Sequence, residues 1–145
     1  MGQDNNPAKK NIVIPLFPLP TTVFYPNTFL PLHIFEARYR SMVADALEKG
    51  GKIGIIMLKT GWEKDYYDTP GIMTIGCVGE IERHSQLPEG KYNILLSGLH
   101  RFRILREIKG KLYRQAQVEL LEEINNQDLT DNSLPIKKQV IENMK

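Results

Sequence analysis

The residue types that most often carry chemistry are sparse in this chain, and their spacing matches no metal site. The three histidines, His33, His84 and His100, have no paired spacing, and Cys77 has no cysteine neighbour. Metal sites draw on His and Cys ligands that recur at short intervals. We therefore expect no metal site. We expect His33 instead to pack among apolar neighbours, with a ring nitrogen bonded to the backbone.

Nucleotide binding and nucleophilic catalysis also lack their signatures. Gly50-Gly51-Lys52 is followed by Ile53, where a phosphate-binding loop requires Ser or Thr. No Gly-x-Ser-x-Gly sequence surrounds any serine. Cys77 lies in an apolar run, where a buried thiol is inert. The double glycine is better explained as the end of a helix, and we expect neither a catalytic residue nor a cofactor.

The densest group of charges lies between His100 and Arg114, where six basic residues and one glutamate give a net charge of +5. Such a surface can bind the phosphates of nucleic acid. The alternation of basic and apolar residues favours another interpretation, the solvent side of two hairpin strands whose edge is protected by charge. Glu119 and the glutamates after it lie close enough in sequence to neutralise the group. The candidate basic surface comprises Arg101, Arg103, Arg106, Lys111 and Arg114.

A polar loop over residues 60–71 carries three large aromatic residues, Trp62, Tyr66 and Tyr67. Such rings bring a large contact area at low entropy cost and are good anchors for another protein. They are as well suited to fold down and cap one end of a barrel, and both interpretations stay open. Together with Phe24 and Tyr25, these three residues form the candidate partner-binding surface.

The element that must position these groups is the segment from Ile14 to Arg40, IPLFPLPTTVFYPNTFLPLHIFEARYR, which holds five of the nine prolines. Proline fixes its own φ and pushes the preceding residue toward extended geometry. We expect short strands over 12–16 and 29–34, separated by a proline-rich crossing. The pattern does not decide which of four aromatic residues lie in the core: Phe17, Phe24, Tyr25 and Phe29.

One helix and about five further strands follow this segment. The helix is predicted over 36–49, because five apolar residues fall at helical spacing and Gly50-Gly51 ends the run. Strands are predicted over 52–59, 72–81, 92–96, 100–105 and 113–121, with a kink at Ser97-Gly98. This order predicts a mainly β (α+β) fold, a barrel or pseudo-barrel of six to seven strands with one main helix.

Length and composition indicate one soluble domain. The chain has 145 residues, 41% of them hydrophobic and 25% charged, and a net charge of +2. We divide it into a flexible amino terminus (1–11), a β domain (12–122), and a linker with a candidate helix start (123–145). No apolar run approaches the roughly 20 residues that cross a membrane. With a single cysteine and no signal-peptide pattern, we expect a cytoplasmic protein.

Four stretches of the chain resemble the Lon substrate-binding domain. They are the proline-rich block Pro15 to Arg40, the GCVGEI strand (Gly76 to Ile81), the LPEGKY turn and the GLHRFRIL strand (Gly98 to Leu105). This family forms the amino-terminal region of the Lon ATP-dependent protease, and also occurs in stand-alone bacterial proteins and in cereblon. The likeness spans roughly residues 12–122, and the opening block is most similar to the stand-alone members.

The resemblance implies a PUA-like β fold and a role in binding proteins, because the ATPase and Ser-Lys peptidase of Lon lie in later domains. It implies a structural role for the family-typical positions. We expect Glu36 or Arg38 to tie the extended segment to the barrel by a charged hydrogen bond. The family-typical positions in this sequence are Pro18, Pro31, Phe35, Glu36, Arg38, Tyr39, Arg101 and Phe102.

The leading functional hypothesis is therefore a non-catalytic module that binds unfolded or hydrophobic polypeptide segments. It would do so through exposed apolar side chains or an open strand edge. Self-association is a second candidate interaction. The alternative is an RNA-binding PUA-like module that uses the basic strands of 100–114, and it rests on fold analogy alone. An unrecognised enzyme is the least favoured hypothesis, and no membrane partner is expected.

Overall fold

The computed structural model describes residues 10–66 and 69–121, which form six β-strands, one α-helix and two short 3₁₀ turns. The predictions of a flexible amino terminus and of a carboxy-terminal helix start fall largely or wholly on residues outside these ranges. The first strand nevertheless includes Lys10 and Asn11, the last two residues of the predicted flexible segment. The elements are β1 (Lys10–Leu19), β2 (Phe29–Ile34), α1 (Ala37–Glu48), β3 (Lys52–Met57), β4 (Ile75–Gln86), β5 (Tyr92–Ile108) and β6 (Gln115–Leu120).

The strands form one sheet in the order β2-β5-β4-β3-β1-β6, and the pairing of β5 with β6 closes five of them into a barrel. β1 changes partner along its length, from antiparallel pairing with β6 over 10–15 to parallel pairing with β3 over 16–19. β2 pairs with β5 and extends the sheet beyond the ring. The predicted mainly β pseudo-barrel with one main helix is confirmed.

β1 continues through two prolines, whereas we predicted that the strand would end at residue 16. On the β3 side, the Leu19 carbonyl accepts a hydrogen bond from the Leu58 amide at 2.9 Å. On the opposite edge, the Leu16 amide donates to the Arg114 carbonyl at 2.8 Å. Backbone groups of alternate residues face opposite edges of a strand, so Pro18 faces away from β3 and costs the sheet no hydrogen bond.

α1 lies within the predicted range and ends at the predicted glycines. Its buried residues are Tyr39, Met42, Val43 and Ala46, all on the predicted apolar face. The Gly51 amide donates to the Ala46 carbonyl at 2.7 Å, and Gly50 has the positive φ that a helix end of this type requires. Gly51 also has positive φ.

Two apolar clusters make up the core. The first packs α1 against the sheet, and it includes Phe17, Ile34 and Leu96. The second fills the other half of the barrel around Phe102, which has no exposed surface. The strand faces predicted for the HRFRIL segment agree with this arrangement, since Phe102 points inward while Arg101 and Arg103 are exposed.

β5 is a single strand of 17 residues that passes through the predicted kink at Gly98. The turn at residues 25–28 crosses directly over this glycine. The Gly98 amide donates to the Thr28 carbonyl at 2.8 Å, and the Asn27 amide donates to the Gly98 carbonyl at 2.9 Å. A β-carbon at Gly98 would meet the Tyr25 carbonyl group and lie 3.1 Å from Pro26 Cα. The glycine therefore permits the backbone of the proline-rich segment to lie on β5.

We expect Gly98→Ala to reduce the free energy of unfolding by roughly 1–3 kcal/mol, because the added methyl group overlaps backbone atoms that cannot rotate away. The matched control is Gly71→Ala, whose methyl group would meet the flexible Lys59 side chain at 3.4 Å or more. The control should change stability by less than about 0.5 kcal/mol. Urea unfolding of both variants measures the difference, and equal stabilities would contradict this account of Gly98.

Candidate functional site

A groove with a cavity volume of about 420 Å³ opens where the end of β1, the end of β2 and the start of α1 meet. Its lining is apolar except for His33, Glu36 and the tyrosine hydroxyls. Cavities of this size and character typically bind small molecules or side chains of a partner. The lining residues are Phe17, Pro18, Leu19, Pro20, Leu32, His33, Ile34, Phe35, Glu36, Tyr39, Leu58, Trp62 and Tyr66.

Two walls of the groove come from the proline-rich segment. Pro18 and Pro20 hold the end of β1 extended, and the chain returns along β2 to reach the opposite wall. There Phe35 follows β2 with 56% of its surface exposed, and its ring stacks on His33 with 5.7 Å between centroids. Tyr39, in the first turn of α1, also lines the groove, and its ring packs against that of Phe17 with 4.4 Å between centroids.

A third wall is the aromatic loop, which folds down onto the barrel. Trp62 is half-buried and packs against the second core cluster, and its ring meets Tyr66 edge-on at 5.7 Å. The two interpretations of this loop are therefore compatible, because the same rings cap the barrel and line the groove. Tyr67, the third aromatic residue predicted for the partner-binding surface, lies outside the described residues.

The loop is held by Glu36, the residue immediately before α1. The Tyr66 hydroxyl donates to Glu36 Oε2 at 2.8 Å, while Arg38 Nε lies 3.5 Å from Glu36 Oε1. The Arg38 guanidinium also lies over the rings of Tyr39 and Tyr66, at 4.8 and 5.4 Å. We expected a charged hydrogen bond from Glu36 or Arg38 to join the extended segment to the barrel. The contacts observed at these two residues instead join the aromatic loop to the start of the helix.

The structure separates the other two residues of the predicted partner-binding surface. Phe24 is buried in the first core cluster with 9% of its surface exposed, so it is unavailable to a partner and this assignment is corrected. Its ring occupies the space left by Gly79, whose β-carbon would lie 2.9 Å from the ring. Tyr25 is 47% exposed, with Arg101 over its ring at 5.9 Å, and it does not line the groove.

The histidines and the cysteine occupy separate places. The prediction that His33 is packed and bonded to the backbone is wrong, because the residue is exposed and its Nδ1 lies 2.9 Å from the Asn93 side-chain oxygen. Its position in β2 explains this, since alternate residues of that strand face solvent. Cys77 is buried, as predicted. Across residues 10–66 and 69–121, no three His, Cys, Asp or Glu residues come together as a metal site would require.

The predicted basic surface is largely neutralised or bonded within the fold. Arg114 makes two hydrogen bonds to the Glu107 carboxylate, at 3.0 and 2.9 Å, and a third to the Pro70 carbonyl at 2.7 Å. Arg103 pairs with Glu119, the neutralising residue that the sequence suggested. Arg106 bonds Gln117 at 3.1 Å, and Lys111 lies 3.8 Å from Asp45. These contacts do not favour a phosphate-binding face.

Sequence reasoning missed most of the groove. Pro18, Phe35 and Tyr39 were assigned structural roles, and all three line it. One signal was available, because the two-residue period of β2 continues past its end and places Phe35 on the same side as the exposed Phe29 and His33. An exposed Phe directly before a helix is a candidate contact residue. The rest of the groove depends on contacts between distant segments.

The groove has the chemistry of a binding site. Its one carboxylate, Glu36, is already bonded to Tyr66 and lies beside Arg38. Burial raises the pKa of Tyr39 to about 12 despite the opposing charge of Arg38, further above neutral pH, where an ordinary phenol is already protonated. Burial and the hydrogen bond to Glu36 also raise the pKa of Tyr66. The groove therefore offers apolar surface with one paired carboxylate and protonated phenols.

The raised pKa of Tyr39 predicts how stability depends on pH. Between about pH 10 and 12 the unfolded chain loses the Tyr39 proton while the folded chain keeps it, so the free energy of unfolding falls as pH rises. At pH 11 this contribution amounts to about 1.4 kcal/mol. Tyr39→Phe should remove it, so the stability of the variant should fall less steeply between pH 8 and 11. Urea unfolding across this range measures both slopes, and identical slopes would contradict the assignment.

Comparison with known proteins identifies the family. The family model of the ATP-dependent protease La (LON) substrate-binding domain matches residues 13–145. A Lon protease from Dictyoglomus thermophilum is 35% identical over 111 residues, which cover 77% of this chain and 14% of that protein. A Lon protease from Anaeromyxobacter dehalogenans is 27% identical over 141 residues, covering 91% of this chain and 16% of the relative. The chain thus spans about one seventh of the length of these relatives.

Solved structures agree with the sequence comparison. The crystal structure of a Lon N-terminal domain protein from Xanthomonas campestris matches with a TM-score of 0.63 and 26% identity, covering 79% of this chain and 62% of that one. The N-terminal domain of a Mycobacterium avium complex Lon protease shares the fold, with a TM-score of 0.60 and 15% identity over 79% of this chain and 57% of that one. The chain belongs to the family of Lon substrate-binding domains.

Proposed function

We propose that this domain binds exposed apolar segments of unfolded polypeptides in the groove between β1, β2 and α1. The observation that carries the proposal is the apolar groove of about 420 Å³, which opens at the surface of a domain from a substrate-binding family. Unfolded chains expose the apolar side chains that folded proteins bury. Transfer of such a side chain from water into the groove is favourable, at about 25 cal/mol per Å² of apolar surface.

The arrangement of the walls supports binding without a large conformational change. The loop wall is held by the Tyr66–Glu36 hydrogen bond, and the Trp62 ring is packed on the core. Preformed walls reduce the entropy cost of binding. We therefore propose a module that captures polypeptide and leaves it chemically unchanged, in line with the substrate-binding part of the family to which it belongs.

We place this activity in the cytoplasm. The chain has a single cysteine, Cys77, which is buried and cannot form an intramolecular disulfide, and this suits a reducing compartment. No helix within the described part of the chain is long and apolar enough to span a bilayer.

Trp62 gives a direct test, because it is the only tryptophan in the chain and it lines the groove. We expect a tryptophan-free unfolded polypeptide to change Trp62 fluorescence with a Kd in the micromolar range or weaker. Phe35→Ser should weaken binding at least fivefold, because it removes an exposed ring from the groove wall. The matched control is Leu112→Ser, which removes an apolar side chain that is 75% exposed and lies outside the groove.

The control variant should bind within about twofold of the unmodified protein. Equal losses in Phe35→Ser and Leu112→Ser would show that binding does not depend on the groove. No change in fluorescence or in NMR chemical shifts at millimolar polypeptide would overturn the proposed function.

Salt dependence separates the groove from the basic surface. Since the groove is apolar and its carboxylate is paired, we expect polypeptide affinity to change less than about twofold between 50 and 200 mM NaCl. Binding that depended on contacts between phosphates and several arginines would weaken by orders of magnitude over the same range of salt concentration. Titration of a single-stranded RNA under both conditions is the matching control, and tight RNA binding that salt abolishes would favour the basic surface instead.

A further inference from the structure

The outer edge of β2 runs beside the groove and has no strand along it in the described ranges 10–66 and 69–121. In that part of the chain β2 pairs only with β5, because the ring closes between β5 and β6. The side chains of Phe29, Pro31 and His33 are exposed. A strand edge of this kind presents backbone donors and acceptors that another extended chain can pair with.

The direction of the backbone groups along β2 follows from one hydrogen bond. The Thr28 carbonyl accepts from the Gly98 amide, so Thr28 faces β5. The register continues with Phe29 opposite Ser97, and backbone groups alternate between the two edges of a strand. Leu30, Leu32 and Ile34 therefore bond to β5, whereas Phe29, Pro31 and His33 direct their backbone groups to the outer edge.

Pro31 gives this edge an unequal number of hydrogen-bond donors and acceptors. Having no amide hydrogen, it provides only a carbonyl, so the outer edge has acceptors at three residues and donors only at Phe29 and His33. The opposite wall of the groove differs, since neither Pro18 nor Pro20 can donate a hydrogen bond. An extended chain that enters the groove therefore finds donors and acceptors on β2, whereas Pro18 and Pro20 on β1 offer only carbonyl acceptors.

The edge and the groove are continuous, because His33 belongs to both. A chain paired to Phe29 and His33 would place alternate side chains on the same face as Leu32, toward the apolar wall of the groove. Main-chain pairing supplies affinity without regard to sequence, and a pocket beside it selects side chains. That combination suits a domain that must bind many different unfolded chains.

We propose that a bound polypeptide adds to β2 as an extended strand, pairing its main chain with Phe29, Pro31 and His33 while an apolar side chain enters the groove. This inference rests on the proposed function and states how the segment is held. The occupant is an extended segment of another polypeptide, recognised by the complementarity between its amide hydrogens and the three carbonyls that face the outer edge of β2. It would donate three hydrogen bonds to β2 and accept two.

The test uses an eleven-residue peptide without tryptophan, with one central Phe among Ser and Thr residues, so that the single large side chain determines the register. Two derivatives carry N-methyl groups, one on the residues at odd positions and one on those at even positions, with the central Phe unmethylated in both. Only one set of amides can face β2. We expect one derivative to keep its Kd within about threefold and the other to weaken at least tenfold, measured by Trp62 fluorescence on the full chain.

A pair of protein variants tests the same contact from the other side. His33→Pro and His33→Ala both remove the imidazole, but only His33→Pro removes the outward amide hydrogen. We expect His33→Pro to weaken binding of the unmethylated peptide at least fivefold relative to His33→Ala. Circular dichroism and melting curves establish that both variants are folded, and the methylated peptides test the proposal on the unmodified protein.

The outcomes separate this inference from the proposed function. If the unmethylated peptide binds and both derivatives bind equally, the groove holds side chains without strand pairing and the inference is wrong. If the unmethylated peptide does not bind while an unfolded polypeptide also fails, the proposed function itself is wrong. A dimer in sedimentation equilibrium that His33→Pro dissociates and the peptide does not displace would assign the edge to a second copy, and would overturn the proposal.

Discussion

The structure depends on a simple constraint: a proline residue has no amide hydrogen and cannot donate to a neighbouring strand. In β1 and β2 the prolines therefore occupy positions whose nitrogens face away from the paired strand, as Pro18 and Pro31 do. The sheet is closed through β6 at one end of β1, but it remains open between the other end of β1 and β2. The start of α1 and the aromatic loop fill part of that opening, and the groove is what remains.

The contacts around the groove support the proposed binding function. The charged groups near the groove are engaged, since Glu36 contacts both Tyr66 and Arg38, and burial raises the pKa of the Tyr39 phenol. Of the predicted basic surface, Arg103 pairs with a carboxylate, Arg106 bonds a side-chain amide, and Arg114 bonds a carboxylate and a carbonyl. The features that we propose for contact with a partner are the apolar side chains of the groove and the backbone of the β2 edge. Unfolded polypeptides expose the matching groups, which are apolar side chains and main-chain amides, whatever their sequence.

Much of the fold could be predicted because local patterns carried it. Tyr39, Met42 and Val43 repeat at helical spacing, and the predicted bounds of β2 agree with the structure. The errors have physical causes. β1 was predicted too short because proline was taken to end a strand. A proline removes only one amide donor, and therefore affects pairing on only one edge of the strand. His33 was misplaced because an apolar neighbourhood in sequence was taken for burial, whereas the two-residue period of β2 points this side chain outward.

The sequence by itself determined the family, the helix, most strands and the absence of recognisable catalytic motifs, since each of these rests on residue types at short spacing. It left undecided which aromatic residues face solvent. Only the tertiary structure decided that Phe24 enters the core above Gly79 while Phe35 stays exposed, and that Trp62 and Tyr66 join the groove. These outcomes depend on packing between segments that are far apart in the chain, where the space left by one residue determines the position of another. Local residue spacing carries no information about that space.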